Sequence, residues 1–239
     1  MAMEIKTTGI VLRATEVGES DKLVTLLTPD YGKITVRAKG CRSAKSKLRF
    51  ATLPMCTGEY LLTKSKVGHI VTGCDCIDTF TAVGADLTKY YVAMVLLDAA
   101  DKLTKEDVAD ATMFLTLLNT LKKVAYHEDA LYTGASFLLD ALRLSGHAFR
   151  PFCHCGEAGE YVDLEASAVC CETHKGTLCM PLSDVARASL VALSEGRDVS
   201  VDGLRTCYVI LTRCIWHTIG VKLMSVQELC KQWDVLCGA

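Results

Sequence analysis

The chain has 239 residues, of which half are hydrophobic and 23% are charged, and its formal net charge is −2. This composition is typical of a globular protein with a sizeable core and excludes a disordered or low-complexity chain. The apolar runs are too short to cross a bilayer and the N-terminus has no apolar signal core, so we expect neither a membrane protein nor a secreted one.

Thirteen cysteines are scattered along the chain, an odd number without the even, patterned spacing of a small disulfide framework. We interpret most of them as reduced thiols of a cytoplasmic protein, because the cytosol keeps thiols reduced. Cys214 and Cys230 stand where a small apolar residue would fit, and a free cysteine behaves much like one.

The charge is unevenly distributed along the chain. Residues 1–50 carry a balance of +5, so the remaining residues carry −7. The stretch 31–50 has no acidic residue and seven basic ones, which are Lys33, Arg37, Lys39, Arg42, Lys45, Lys47 and Arg49. Such a run is either a solvated strand and loop or a surface that contacts phosphates, and it indicates a partner that the total charge conceals.

The first 80 residues have the pattern of short strands. Runs rich in β-branched residues, with turn signals between them, predict five strands at 7–15, 21–29, 33–40, 59–66 and 69–77. The third run alternates apolar with basic or polar residues, which predicts a half-buried strand with a basic outer face. Five short strands of this kind favour a small closed or nearly closed barrel.

After Phe80 the apolar residues recur at helical spacing. We predict helices at 82–105, 107–126, 128–145, 181–196, 201–223 and 225–233. Ser225 followed by Glu228 has the spacing of a capping box, which predicts the start of the last helix at Ser225. The predicted class is therefore α+β, with a barrel in residues 1–80 and a helical domain in 81–239.

A cysteine-rich stretch at about 150–178 interrupts the helices. Two short ligand pairs can be drawn, Cys153 with Cys155 and Cys171 with His174, separated by a loop of 15 residues that suits a zinc ribbon. Cys170 and His154 are adjacent alternatives. The other interpretation is a metal-free loop whose thiols pack in the core.

The N-terminal sequence resembles the RecO family of bacterial recombination and repair proteins. The motifs that carry the resemblance follow one another in a specific order along the chain. They are G-I-V-L (9–12), G-E-S-D-K (18–22), T-x-x-x-G-K (28–33), A-K-G (38–40) with a basic stretch after it, and the C-terminal IGVKLMSVQELC (219–230). The resemblance covers most of the chain, more thinly in the middle helices.

The resemblance implies an OB-fold barrel, a helical domain and, in many members, a small inserted zinc module. It implies binding of single- and double-stranded DNA, annealing of complementary strands, and a mediator role with RecR and the C-terminal tail of single-stranded-DNA-binding protein, through which RecA is loaded on gapped DNA. The expected location is then the bacterial cytoplasm, in association with the nucleoid.

Zinc-bearing members of that family show C-x-x-C-G and later L-C-x-x-C. This sequence departs from both patterns, since Phe152 replaces the first cysteine and Thr173 stands three residues after Cys170. We predict a structural Zn²⁺ held by Cys153, Cys155, Cys171 and His174, with a site that has lost its metal as the alternative.

No motif indicates an enzyme. The sequence has no Walker-type G-x-x-x-x-G-K-[ST], no G-x-S-x-G and no H-E-x-x-H. We expect a DNA-binding mediator without a catalytic site. The alternatives are a zinc-ribbon adaptor that binds protein and not DNA, and an OB-fold enzyme that acts on nucleic acid.

Overall fold

The computed structural model describes residues 4–65, 68–126 and 129–236. They form an N-terminal β-barrel, a set of helices, and a small β-sheet inserted between two of those helices. The predicted α+β class is confirmed. Residues 66 and 128, where two of the predicted elements end or begin, lie outside the described residues.

Five strands close the barrel: β1 (Glu4–Val17), β2 (Asp21–Thr28), β3 (Gly32–Ala38), β4 (Thr57–Ser65) and β5 (Gly68–Asp78). Their order is β1-β2-β3-β5-β4, with β4 returning to β1, and only the pairing of β3 with β5 is parallel. This is an OB-type barrel. A bulge between Val11 and Arg13 bends the long strand β1, so that β1 pairs with both β2 and β4.

The third strand shows how the sequence pattern becomes a barrel wall. Val36 and Ala38 are fully buried in the barrel core, whereas Thr35 and Arg37 are exposed on its outer surface. Successive side chains of a strand point to opposite faces, so the alternation in the sequence places the basic residue outside. The predicted half-buried strand is confirmed.

Two residues separate the end of the barrel from the first helix. They are α1 (Thr81–Gly84), α2 (Leu87–Leu103), α3 (Ala111–Tyr126), α4 (Ala130–Leu144), α5 (Asp184–Ser194), α6 (Val201–Ile219), α7 (Met224–Lys231) and α8 (Trp233–Leu236). Tyr208 of α6 is fully buried, and its hydroxyl donates to the Leu131 carbonyl of α4 at 3.0 Å. None of the helices in the described ranges combines the length and apolarity that crossing a membrane requires.

The predicted capping box at Ser225 is wrong. Helix α7 begins one residue earlier, at Met224, and its N-cap is Leu223, which provides no side-chain cap. The carboxylate of Asp98 on α2 accepts both the Ser225 N–H at 3.1 Å and the Ser225 hydroxyl at 2.8 Å. A residue 127 positions away therefore satisfies the free N–H at this helix end.

The β2–β3 turn contacts the segment that joins α2 to α3. Gly32 has φ +66, and a Cβ built on it would lie 1.9 Å from the Val108 carbonyl oxygen. Next to it, the Asp107 N–H donates to the Lys33 carbonyl at 3.0 Å. Glycine is required here both by the left-handed backbone and by this close approach.

Asp101 of α2 joins the helices to the barrel through charge. Its side chain is 6% exposed and lies 3.2 Å from Arg13 Nε of β1, 3.4 Å from Lys33 Nζ of β3 and 3.1 Å from Lys102 Nζ. Burial raises the pKa of Asp101, but the hydrogen bond from Lys102 and the positive charges around it outweigh burial and lower the pKa. The carboxylate is therefore ionised and holds cations from two strands.

The inserted sheet lies between α4 and α5. It has three short strands, β6 (Tyr161–Asp163), β7 (Ala168–Cys170) and β8 (Cys179–Pro181), in the order β7-β6-β8. Val162 and Val169 are buried and belong to the same hydrophobic core as the helices. The insert is therefore anchored on the helical core by apolar packing.

We predict that Asp101→Asn lowers the free energy of unfolding by about 3 kcal/mol, because it leaves the Lys33 ammonium, whose side chain is only 13% exposed, without its counter-charge. The folded-state pKa of Asp101 is lowered, so its contribution is present above the unfolded pKa of about 3.9 and is lost as the pH falls through the folded pKa. The difference in the free energy of unfolding between wild type and variant, measured by urea titration, should therefore shrink below about pH 4.

The matched control is Asp140→Asn, which breaks the exposed pair with Arg143 on α4. A solvated pair of this kind contributes less than about 1 kcal/mol. If both variants lose the same free energy of unfolding, Asp101 contributes no more to stability than an exposed ion pair does.

Candidate nucleic-acid interface and metal centre

Six of the seven predicted basic residues lie together on the outer surface of the barrel. Arg37 is on β3, and Lys39 follows that strand directly. The other four occupy the loop that leads from β3 to a short 3₁₀ helix at Phe50–Thr52, and all six are exposed; the loop residues are Arg42, Lys45, Lys47 and Arg49. We call residues 39–49 the basic loop.

Lys33 is placed elsewhere. Its side chain is 13% exposed, its ammonium lies against Asp101, and it also donates to the Asp101 carbonyl at 2.5 Å. The residue faces the helices because it stands at the start of β3, beside the end of α2. Lys33 is therefore not part of the exposed basic surface that the sequence predicted, and its positive charge is already compensated.

The basic loop is attached to the β1–β2 turn. Asp21 accepts the Gly40 N–H at 2.8 Å, and the Arg42 N–H donates to the Ser20 carbonyl at 3.0 Å. The hydrogen bond from the Gly40 N–H, followed by that from Arg37, lowers the pKa of Asp21. Asp21 is thus an ionised anchor at the first end of the loop.

Two of the six exposed cations are partly neutralised by neighbours. Arg37 lies 2.8 Å from Asp21 and Arg42 lies 3.1 Å from Glu16. In the described part of the chain, no carboxylate comes within ion-pair distance of the other four, which are Lys39, Lys45, Lys47 and Arg49. Four positive charges therefore remain available to an anionic ligand.

A groove of about 650 Å³ runs beside these residues. Its walls come from β2, from β3 and its C-terminal end, and from the hairpin of β4 and β5; the lining residues are Leu23, Thr35, Arg37, Lys39, Ser65, His69 and Ile70. Oligonucleotides bind to this face of an OB-fold, between the loops that flank it. Sequence reasoning missed Leu23 and His69 here, and the only signal for them was their position in a predicted barrel.

The inserted sheet brings the two predicted ligand pairs together. The ligand atoms of Cys153, Cys155, Cys171 and His174 all lie within 4.8 Å of one another, so these residues can hold a metal ion. The Cys171 sulfur lies 3.8 Å from the sulfurs of both Cys153 and Cys155. Four ligands at this spacing suit tetrahedral coordination, in which sulfurs about 2.3 Å from zinc lie about 3.8 Å apart.

Each ligand pair lies on a tight turn. The first turn is closed by the Gly156 N–H donating to the Cys153 carbonyl at 2.9 Å, and Gly156 has φ +83. The second turn is a 3₁₀ helix, Glu172–His174, in which the His174 N–H donates to the Cys171 carbonyl at 3.1 Å. The C-x-C and C-x-x-H spacings thus converge because both turns reverse the chain.

Backbone N–H groups favour the thiolate at the centre of the cluster. Hydrogen bonds from the N–H groups of Cys155 and Cys171 lower the pKa of the Cys153 thiol to about 6. Thiolate is the form that binds metal ions. The imidazole Nδ1 of His174 lies 3.6 Å from the same sulfur and is available as the fourth ligand.

The two alternative ligands occupy other positions. The Cys170 sulfur lies 3.6 Å from that of Cys179 on β8, and burial raises the Cys170 pKa to about 12. The His154 ring packs on the His174 ring, with centroids 4.1 Å apart. Cys170 is the last residue of β7, and Cys171 continues it in extended backbone; successive side chains of an extended chain point to opposite faces, so Cys170 points away from the cluster that Cys171 joins. In the described ranges, no second group of three or more potential ligands is present.

Comparison with known protein families matches nearly the whole chain. Residues 1–80 match the family model described as Recombination protein O N terminal, and residues 84–226 match that described as Recombination protein O C terminal. The two matches meet where the barrel ends and the helices begin.

Individual relatives give the same result. A protein of Bifidobacterium adolescentis named DNA repair protein RecO is 30% identical over 208 residues, which is 82% of this chain and 84% of that protein. A namesake from Bacillus pumilus is 31% identical over 207 residues, or 83% and 79% of the two chains. A third, from Acetivibrio thermocellus, is 32% identical over 117 residues, which is 49% of this chain and 47% of that protein.

Proposed function

Because the chain belongs to the RecO family of DNA repair proteins, we propose that it is a recombination mediator that binds single- and double-stranded DNA and anneals complementary strands. The observation that carries this proposal is the exposed basic surface, in which four cations have no carboxylate partner in the described structure. Phosphate is the ligand that such a surface favours, since each contact releases a condensed counterion.

The same surface explains how annealing would proceed without catalysis. Two complementary strands repel each other through their phosphates, and cations between them lower that repulsion. The groove beside Arg37 and Lys39 accommodates one strand, while the basic loop extends the positive surface beyond it. Base pairing then supplies sequence specificity, so the protein needs no base-specific hydrogen bonds.

We further propose that the helical part binds protein partners, namely RecR and the acidic, apolar-ended tail of single-stranded-DNA-binding protein, and so assists RecA. A groove of about 320 Å³ between α6 and α7 suits that tail. Trp216 and Leu223 are among its apolar walls, Arg213 and Lys222 are at its rim, and none of its lining residues is acidic. Apolar grooves rimmed by cations are how proteins bind acidic motifs.

We propose that the ion at the cysteine cluster is zinc, with a structural role. The three sulfurs and one imidazole would supply all four ligands that a structural zinc ion takes, and would leave no position for a reacting water. Bound zinc would link the turn before β6 to the turn after β7, and these four residues would hold it. We propose no enzymatic activity for the protein, and a cytoplasmic, nucleoid-associated location.

We predict that binding to a single-stranded oligonucleotide weakens steeply with salt. On a single strand, four to six phosphate contacts give a slope of log K against log salt of about −3 to −4. Replacing Lys45 and Lys47 by alanine should reduce the slope by about 1 to 2 and slow annealing of complementary oligonucleotides. Fluorescence titration and an annealing assay measure both effects.

The control for the Lys45 and Lys47 double variant replaces Lys122 and Lys231, two exposed lysines of the helical part, by alanine. It should leave the slope and the annealing rate unchanged. Wild-type affinity that does not change between low and high salt would contradict the proposed phosphate-contacting surface. No oligonucleotide binding at either salt concentration would favour an adaptor that binds only protein.

We predict about one zinc ion per chain in protein purified without chelator, measured by elemental analysis. Cys171→Ser should lose the metal, since its sulfur is next to those of both other cysteine ligands. Cys230→Ser, on α7 and outside the cluster, should retain it. A zinc content near zero in the wild-type protein would show that the site binds no zinc.

We predict that a labelled acidic peptide with an apolar C-terminus binds the α6–α7 groove. Reversing the charges of Arg213 and Lys222 to glutamate should weaken binding about 10-fold, because both rim charges turn from attractive to repulsive. Arg143→Glu is the control, since Arg143 lines a different groove and already pairs with Asp140. If only Arg143→Glu weakens binding, the tail occupies that other groove instead.

A further inference from the structure

We infer that Phe50 receives an unpaired nucleobase by stacking, and that this contact favours single strands over duplex DNA. The inference rests on the proposed DNA binding and adds a base contact outside the groove of the barrel. Its basis is the exposure of the ring, the rigidity of the backbone under it and the charges around it.

Phe50 is the most solvent-exposed aromatic side chain in the described part of the chain, at 62%. It lies at the end of the basic loop, directly after Arg49 and three residues after Lys47. Leaving a phenyl ring in water is unfavourable, and covering it with another flat apolar surface regains that free energy. A base that stacks on this ring would therefore gain free energy from covering it, next to cations that attract its phosphate.

The backbone that carries the ring is held rigidly. The residues that follow Phe50, Ala51 and Thr52, are 0% and 1% exposed. The Tyr60 hydroxyl donates to the Ala51 carbonyl at 2.8 Å, and the Thr52 hydroxyl donates to the Arg49 carbonyl at 3.1 Å. The ring is thus presented to solvent by an ordered turn, so that binding costs little backbone entropy.

The surrounding charge selects the ligand. Lys45, Lys47 and Arg49 are exposed, and no carboxylate in the described structure pairs with them. Cations that attract phosphates beside an aromatic ring that accepts a base are the components of single-strand binding surfaces. A duplex offers no free base face, because its bases are already stacked on each other, so the ring should contribute to single-strand binding only.

The test is a titration of full-length protein with oligothymidylate and with a duplex of equal length. Phe50→Ala should weaken single-strand binding about 5- to 10-fold and leave duplex affinity unchanged. The salt slope should not change, since no phosphate contact is removed. Phe50→Leu should bind as poorly as the alanine variant, and Phe50→Trp should bind as wild type with its indole fluorescence quenched.

Other outcomes would overturn the inference. Unchanged affinity of Phe50→Ala for oligothymidylate excludes stacking, and full affinity of Phe50→Leu shows that any apolar side chain suffices. A loss of protein-partner binding with DNA affinity intact assigns the ring to a protein interface. The Lys45 and Lys47 replacement separates this inference from the proposed function, because its effect on the salt slope does not depend on the ring.

Discussion

The buried carboxylate of Asp101 is the interaction on which the arrangement of barrel and helices depends. It holds Arg13 of β1 and Lys33 of β3 against the end of α2, so that two strands and one helix meet at one charge. Such a cluster adds little net stability, because each ion loses hydration. The cluster instead sets the orientation of the barrel relative to the helices. Any other orientation would leave a charge at this interface unpaired, at a cost of several kcal/mol. The glycine turn beside it, at Gly32, allows the approach.

This constraint divides the basic run of the sequence into three roles. Lys33 pairs with Asp101 at the helix interface, and Arg37 and Arg42 pair with carboxylates of the β1–β2 region. Among the described residues, no carboxylate pairs with the remaining four, which are left for a ligand. The motifs that carry the family resemblance largely build this scaffold. G-E-S-D-K supplies Asp21, and A-K-G supplies the Gly40 N–H that Asp21 accepts. They position the basic surface, and the loop that follows them supplies most of its charge.

In the inserted sheet, local turns form the ligand pairs, whereas contacts with distant residues select which cysteine joins them. The spacings C-x-C and C-x-x-H predicted two pairs of ligands, and the two turns that form them are local structures. The sequence left Cys170 as an alternative to Cys171, because the two are adjacent and both lie within four residues of His174. The β-sheet decided it, since Cys170 faces Cys179 while Cys171 faces the first pair. The helix start at Met224 was likewise set from a distance, by Asp98.

Composition and short periods along the chain predicted the class of the fold, the alternation that exposes Arg37, the acid-free basic run and the two metal-ligand pairs. These features depend on composition and on patterns that repeat every two to four residues, so neighbouring residues alone are enough to recognise them. Contacts between distant segments placed Lys33 against Asp101, selected Cys171 for the cluster, and put His69 and Leu23 on the wall of the groove. Each of these depends on which distant segments of the chain pack together, and a local sequence pattern does not specify the segment against which it packs.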